Sequence, residues 1–454
     1  MQPPQNKYIV PFDGDVIVGK DILELLSSGM YVEPLSIYRE YIQNSADAID
    51  QADVQGLFEK RQVSAISVTL DVANRVASIK DEGAGVSNRA FVRTLTSIGG
   101  SGKRGTAARG FRGVGRLAGL AYCQELVMRS KAASDSEVME MRWDCKRLKE
   151  LLREPSAQSL KEILSAVVTV SKSNVLKTAS HFFEVELRGI NRFKNDLLLN
   201  EELVGRYLSE VGPVPFHSSF KFSEEINGLL ARHNAGQSFG TCLNGTDLFR
   251  PHRNDYEARL NTPAKFKTIE VFEVPGVESG FDAVGWILHG DYLGAIPERQ
   301  RIQGLRLRAG NIQIGDSRLL DLIFPQPRFN AWAVGECHLI SPRLIPNARR
   351  DDLEHGTHRN NLITQLTPRA VAILKACRTH SAERTRERKA EAEARTGSSI
   401  NWGSAKGFML RNADKKLSAQ HKTQITKKFK NGGLTYAELL QLLTEPTKTD
   451  RIRG

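Results

Sequence analysis

The first third of the chain switches between helical and strand spacing of its apolar positions. Pro34 suits a first helical position, and residues 35–51 read as one helix. Residues 63–72 then alternate, with Val63 and Ala65 in one register and Ile66, Val68 and Leu70 in the other, which predicts a strand. Ala73, Asn74 and Arg75 form a turn, and residues 76–79 a second strand. Ser87 can cap a helix whose apolar positions are Phe91, Val92, Leu95 and Ile98. The most glycine-dense stretch follows at 99–119, and 117–128 is predicted as a further helix. Residues 195–261 carry no clear period. Strand patterns return at 268–274, 283–288, 305–309 and 331–339, which argues for a second α/β unit. Residues 360–395 hold no glycine and one proline, Pro368, near their start, and read as a long helix whose later half is almost all charge and alanine. Gly397-Ser398-Ser399 breaks that pattern, 412–430 is basic and helix-compatible, and Thr435-Tyr-Ala-Glu438 is a capping box.

Composition narrows the class. A chain of 454 residues exceeds one compact domain and accommodates two plus an appendage. Apolar residues at 40% and charged residues at 26% are ordinary for a globular protein. No run of eighteen apolar residues occurs, and the polar start, residues 1–7, lacks a secretory apolar core, so a membrane partner is not expected. Five scattered cysteines without a C-x-x-C pair argue against a disulfide scaffold and a zinc site, and suit a cytoplasmic location. The net charge is +12, and residues 381–454, with 16 Lys/Arg against 8 Asp/Glu, supply most of it. The basic bias is therefore a property of the tail.

Two phosphate-loop look-alikes fail on inspection. Gly14 to Lys20 fits the P-loop, but Asp21 stands where a hydroxyl should hold magnesium. Gly100, Gly102 and Gly105 fit G-x-G-x-x-G, but a helix precedes them where the fingerprint needs a strand. A stronger constellation spans residues 38–116. Glu40, Asn44 and Asp47 share one helix face; Asn44 offers magnesium a neutral oxygen, and Glu40 can orient or deprotonate a water. Taken alone, these three would read as a solvated face. Asp81-Glu-Gly83-Ala-Gly85 follows the second strand, placing a carboxylate that accepts from an amino group beside backbone that can close on a flat ring. Gly110, Gly113, Val114 and Gly115 then open the segment predicted as helical, where glycines let N–H groups face phosphate. From 87 to 124 the chain holds seven Lys/Arg, Lys103 among them, and no acid, a balance that a triphosphate would explain.

In this order and spacing the three pieces resemble the GHKL superfamily of gyrase B, the ninety-kilodalton heat-shock chaperones, the histidine kinases and MutL. Glu40 to Ala48 looks like its N-box, Asp81 to Gly85 like its D-x-G-x-G adenine motif, and Gly110 to Gly115 like the glycine motif closing its ATP lid. Residues 31–48 are most similar to the chaperone branch, whereas Thr96-Ser97-Ile98 and Gly110-Phe111-Arg112-Gly113 look more like MutL. The resemblance implies an α+β architecture. A two-layer α/β sandwich of the Bergerat type (1–195) is followed by a connecting region (196–265), a transducer-like α/β domain (266–360), a long helix (361–396) and a basic helical tail (397–454). It also implies a slow, Mg2+-dependent ATPase that acts as an ATP-gated clamp and homodimerises, with a protein client or neighbouring gene product as partner. A nucleotide-sensing adaptor with little turnover is the alternative. Leu344-Ile-Pro346-Asn347-Ala-Arg349-Arg350-Asp351 resembles the chaperones' catalytic loop and puts Arg350, or Arg349, on the γ-phosphate. One departure stands out: where the superfamily has Gly-Thr entering the last strand, strand register puts His181 rather than Thr178 nearest adenine.

The tail makes its own prediction. Residues 411–430 hold seven Lys/Arg and one acid, with no membrane-like apolar face. Deleting 398–454 should leave ATP hydrolysis measurable but remove DNA or RNA binding that weakens about tenfold or more between low and physiological salt. Retention on nucleic acid is the measurement. If the full chain is not retained even at low salt, the tail is a protein-docking element instead.

Overall fold

The computed structural model describes residues 33–58, 66–97, 115–154, 159–173, 181–192, 194–258 and 262–395, with Thr423 and residues 426–428 of the tail. The chain opens, as the pattern predicts, with helix α1 (Ser36–Val54), followed by the hairpin β1 (Ile66–Asp71) and β2 (Val76–Asp81). The hairpin turn is held by Asp71, whose carboxylate accepts from the Asn74 amide N–H and side chain, while Arg75 takes a positive φ of 56°. Helix α2 (Asn88–Thr96) starts after Ser87 and buries Phe91 and Leu95.

The helix predicted over 117–128 does not form. A 3-10 segment covers Gly115–Ala121, and the chain then turns into strand β3 (Glu125–Lys131). The run Leu126-Val127-Met128 is fully buried, and a short apolar run of this kind fits a central strand as well as a helix. Pairing decides it: β3 lies between β4 (Val138–Asp144) and β6 (Phe182–Arg188), with Arg129 bound to Glu140, Glu184 and Glu186 on the two neighbours. Between them come α3 (Cys145–Arg153), α4 (Leu160–Val167) and β5 (Val168–Ser173).

The stretch without a clear period contains α5 (Glu201–Val211), α6 (Ser223–Arg232) and the short strands β7 (Thr241–Leu243), β8 (Thr246–Asp247) and β9 (Asp255–Ala258). Strands β7 and β8 complete the first sheet, whose order is β5-β4-β3-β6-β2-β1-β7-β8, with β1 and β7 parallel. Helices cover one face. Twelve of the nineteen residues of α1 are buried, among them Ile37, Tyr38, Tyr41, Ile42 and Ile49. Burying each such side chain contributes roughly 1.5–3 kcal/mol.

The second sheet has strands at the four predicted places, β10 (Thr262–Pro275), β11 (Phe281–Gly290), β12 (Gly304–Ala309) and β14 (Val334–Leu339), and adds β13 (Ile312–Ile314), which the pattern does not predict; residues 331–332 belong instead to a 3-10 segment, Pro327–Trp332. Its order is β13-β12-β14-β11-β10-β9. Helix α7 (Thr357–Arg395) buries Leu362, Leu366, Ala370, Ile373 and Cys377 against it. The molecule is thus a mixed α/β fold with two sheets. Its five cysteines are free thiols. No helix among the described residues is long and apolar enough to cross a membrane.

Helix α5 links the two sheets, packing on α1 and on β13. Its C-terminal carbonyls end in an arginine cluster: Arg308 donates to the Glu210 and Gly212 oxygens at 2.6 and 3.2 Å and to Glu336 at 2.6 Å. Arg306 binds the Glu210 carboxylate at 3.0 Å, and Arg250 pairs with Glu336. Burial opposes ionisation of Glu336, yet Arg250 and Arg308 hold its carboxyl well below the usual range. Arg308, buried beside Arg250, is pushed down to about 9. Donors meeting a helix C-terminus complement its dipole, so α5 is fixed to the second sheet by charge as well as by packing.

Candidate functional site

The polar residues of α1 do not face open solvent. Glu40 is only 12% exposed at its side chain, Asp47 is buried, and Asn44, one turn from Glu40, is half-buried. What encloses them is the 3-10 segment and the loop before α7. Gly115 lies against Glu40, so close that a Cβ there would meet its carboxylate. Tyr41 anchors the same segment, accepting the Gly119 N–H at 2.9 Å and donating to the Arg116 carbonyl.

The loop arrives from the other side. The chain reverses at Asn347, whose side chain donates to the Asp351 carboxylate at 2.5 Å and accepts the Asp351 N–H at 3.2 Å. Arg350 then takes a φ of 56°, a conformation rare outside glycine, and its carbonyl accepts the Gly315 N–H just beyond β13. The result is a buried Arg350 whose Nε lies 3.8 Å from Glu40 Oε1. Arg349 is exposed, and its carbonyl accepts from Arg39 at 3.0 Å. Arg39 itself lies 3.5 Å from Glu40 Oε1, so the carboxylate sits between two guanidinium groups, one from each sheet's unit.

The second half of the site is the turn after β2. Asp81 is 2% exposed and accepts from the Gly83 N–H at 2.9 Å, the Ser45 hydroxyl and the Phe183 N–H. Burial dominates over these bonds and raises its pKa to about 7. Gly83 packs against Ala48 of α1 with no room for a Cβ, and Ala84 N–H donates to the Ala48 carbonyl at 2.9 Å. Gly85, at φ +67°, passes under the Lys131 carbonyl, a position closed to any side chain. His181 enters β6 with Nδ1 2.7 Å from the Gly83 oxygen.

The structure therefore brings Glu40, Asn44, Asp47, Asp81, Gly83 and Gly85 onto α1 and the adjoining turn, with Gly115 and Arg350 over Glu40. Lys103, Gly110, Gly113 and Val114 lie outside the described residues, as does Thr178. Arg39, Tyr41 and Ser45 carry no signal of their own in the sequence. They flank the polar positions on the same helix, and only their long-range partners mark them. Among the described residues no cluster of three or more His, Cys, Asp or Glu is placed to hold a metal. The Asn44 side chain, half-buried one turn from Glu40, offers a neutral oxygen.

Residues 34–174 match the family model described as histidine kinase-, DNA gyrase B- and HSP90-like ATPase, which places a GHKL-type ATPase domain in this part of the chain. Within that class the chain resembles the HSP90 branch: it is 27% identical over 155 residues to the chaperone protein HtpG of Polaromonas naphthalenivorans (strain CJ2). That match covers 30% of this chain and 24% of the chaperone.

Proposed function

We propose that the protein binds Mg-ATP between Asn44, Asp81 and the 110–115 segment and hydrolyses it slowly, as the gate of a conformational clamp. The observation that carries this reading is the enclosure of Glu40 by elements of both units, with Gly115 against its carboxylate and Arg350 and Arg39 on either side. A helix carboxylate in a solvated face would gather neither a backbone packed against it nor a left-handed, buried arginine.

In this reading Asp81 accepts a hydrogen bond from the adenine amino group, and the turn through Gly83 and Gly85 admits the ring. Asn44 would be the protein's ligand to magnesium, which supplies charge neutralisation on the phosphates. Glu40 takes the proton of the attacking water as its oxygen bonds to the γ-phosphorus and the bond to the ADP oxygen breaks. Arg350 leaves Glu40 for the γ-phosphate and stabilises the charge that develops there. Because Glu40 lies on α1 of the first unit and Arg350 on the loop after β14 of the second, and α5 is pinned to the second sheet by Arg308, the same contact would transmit nucleotide state from one unit to the other. Dimerisation, a protein client and a nucleic-acid contact through the tail belong to this proposal, in keeping with the resemblance to the chaperone branch.

Arg350→Ala tests it. ATP affinity should stay within a few-fold of wild type while kcat falls on the order of 10²-fold; Arg349→Ala should change kcat little. Equal losses in both variants, measured by steady-state phosphate release, would show that the loop acts only as a scaffold.

A further inference from the structure

His181 stands where the sequence departs from its superfamily, and its contacts give it a task. The β2–β6 ladder pairs Asp81 with Phe183. Continued by two residues, the same register sets His181 opposite Gly83. There its Nδ1 lies 2.7 Å from the Gly83 oxygen. A carbonyl only accepts, so Nδ1 carries the hydrogen and the tautomer is fixed. The Phe58 ring, delivered by the chain leaving α1, meets the imidazole edge-on at 5.7 Å. His181 is 5% exposed.

Gly83 is consequently gripped at both ends. Its N–H donates to the Asp81 carboxylate at 2.9 Å, and its carbonyl accepts from His181. Neither end could be fixed by a side chain of its own, because residue 83 has no room for one beside Ala48. The Phe183 N–H, two residues along β6, holds the same Asp81 carboxylate. One strand entry thus fixes both the peptide that shapes the turn and the carboxylate that would read the base.

We propose that His181 is a positioning residue of the nucleotide site: through the Gly83 carbonyl it holds the Asp81 turn in the geometry that accepts an amino-bearing nucleobase. The inference rests on the nucleotide-binding reading above. Removing the donor leaves a buried carbonyl unpaired and the Gly83–Ala84 peptide held only by the Ala84 N–H bond to Ala48, which acts on the base and leaves phosphate contacts alone.

The test compares ATP with inorganic tripolyphosphate, which has no base, by calorimetry on the full chain with magnesium. His181→Ala should weaken ATP about tenfold and leave tripolyphosphate within about twofold of wild type. His181→Asn, whose side-chain amide can donate from nearly the same place, should restore ATP binding to within about threefold. His181→Phe keeps a ring against Phe58 without the donor and should behave as alanine does, so a folding failure of the alanine variant does not shield the proposal. ATP affinity unchanged in both donorless variants overturns it. So does a parallel loss of ATP and tripolyphosphate, or no rescue by asparagine, since either marks a merely structural histidine. A wild type that binds tripolyphosphate and ATP equally, or neither, overturns the nucleotide-binding reading itself and this inference with it.

Discussion

Replacing Glu40 by alanine is expected to abolish turnover while sparing ATP binding: a fall in steady-state hydrolysis on the order of 10³-fold, with affinity within a few-fold of wild type. The expectation follows from where the carboxylate sits. Glu40 is 12% exposed, Gly115 closes on it, and Arg39 and Arg350 approach its Oε1 at 3.5 and 3.8 Å. None of these groups is placed to grip a base, so binding survives. A proton acceptor for water is what disappears. The variant also leaves Arg350 and Arg39 facing each other without their anion, so it should open the contact between the units unless γ-phosphate replaces the carboxylate. Single-turnover and steady-state phosphate release, together with a binding titration, check the outcome. Hydrolysis at the wild-type rate with normal binding would remove Glu40 from the mechanism, whereas a wild type that binds nucleotide without turnover would favour the nucleotide-sensing adaptor.

How much of the fold is legible in the sequence depends on the range of the interaction. The β1–β2 hairpin is readable because alternation, turn residues and pairing all lie within 16 residues. The longer strands of the second sheet, β10, β11, β12 and β14, are readable because of their apolar runs, whereas the short β9 and β13 are not. Residues 241–247 are not, since β7 is a strand only by virtue of β1: Thr241 pairs with Ile66, and the Asn244 side chain accepts the Leu70 N–H at 2.8 Å. The pattern over 117–128 misleads for the same reason, a buried apolar run whose partners lie on β4 and β6.

Within the candidate site the split is similar. Glu40, Asn44 and Asp47 fall on one face by spacing alone, but whether that face meets water is decided by Gly115 and by a loop some 310 positions away. Residue types do not separate Arg349 from Arg350. A left-handed residue turns one side chain inward and leaves its neighbour outside, and no pattern of types announces it. His181 is an intermediate case: the resemblance marks its place at the entry to a strand, but the β2–β6 pairing that sets it opposite Gly83 joins residues 98 positions apart.

Asp81 should make apo stability and base recognition respond to pH in opposite directions. Its folded pKa of about 7 lies above the ordinary carboxyl value of 3.8 because burial penalises the charged form. A raised acid binds its proton more tightly when folded. The stability it contributes is therefore complete below about pH 4 and is lost as pH rises towards 7, by roughly 4 kcal/mol at most. An amino-bearing base binds more strongly to the ionised carboxylate, whose oxygens only accept, so binding favours release of that proton. ATP affinity, taken relative to tripolyphosphate to cancel phosphate titration, should be about tenfold weaker at pH 6 than at pH 8. Asp81→Asn removes both effects. Its stability relative to wild type should improve as pH rises from 4 to 8, and ATP binding should fall about 10²-fold at pH 8, because the amide sets a donor against the amino group. Repeating the profile in His181→Asn separates the carboxyl from the imidazole two peptide units away. Denaturant titrations at fixed pH and calorimetry provide the two readouts. An ATP-to-tripolyphosphate ratio that stays flat from pH 6 to 8 would mean that Asp81 does not read the base, even if the chain proves to be an ATPase.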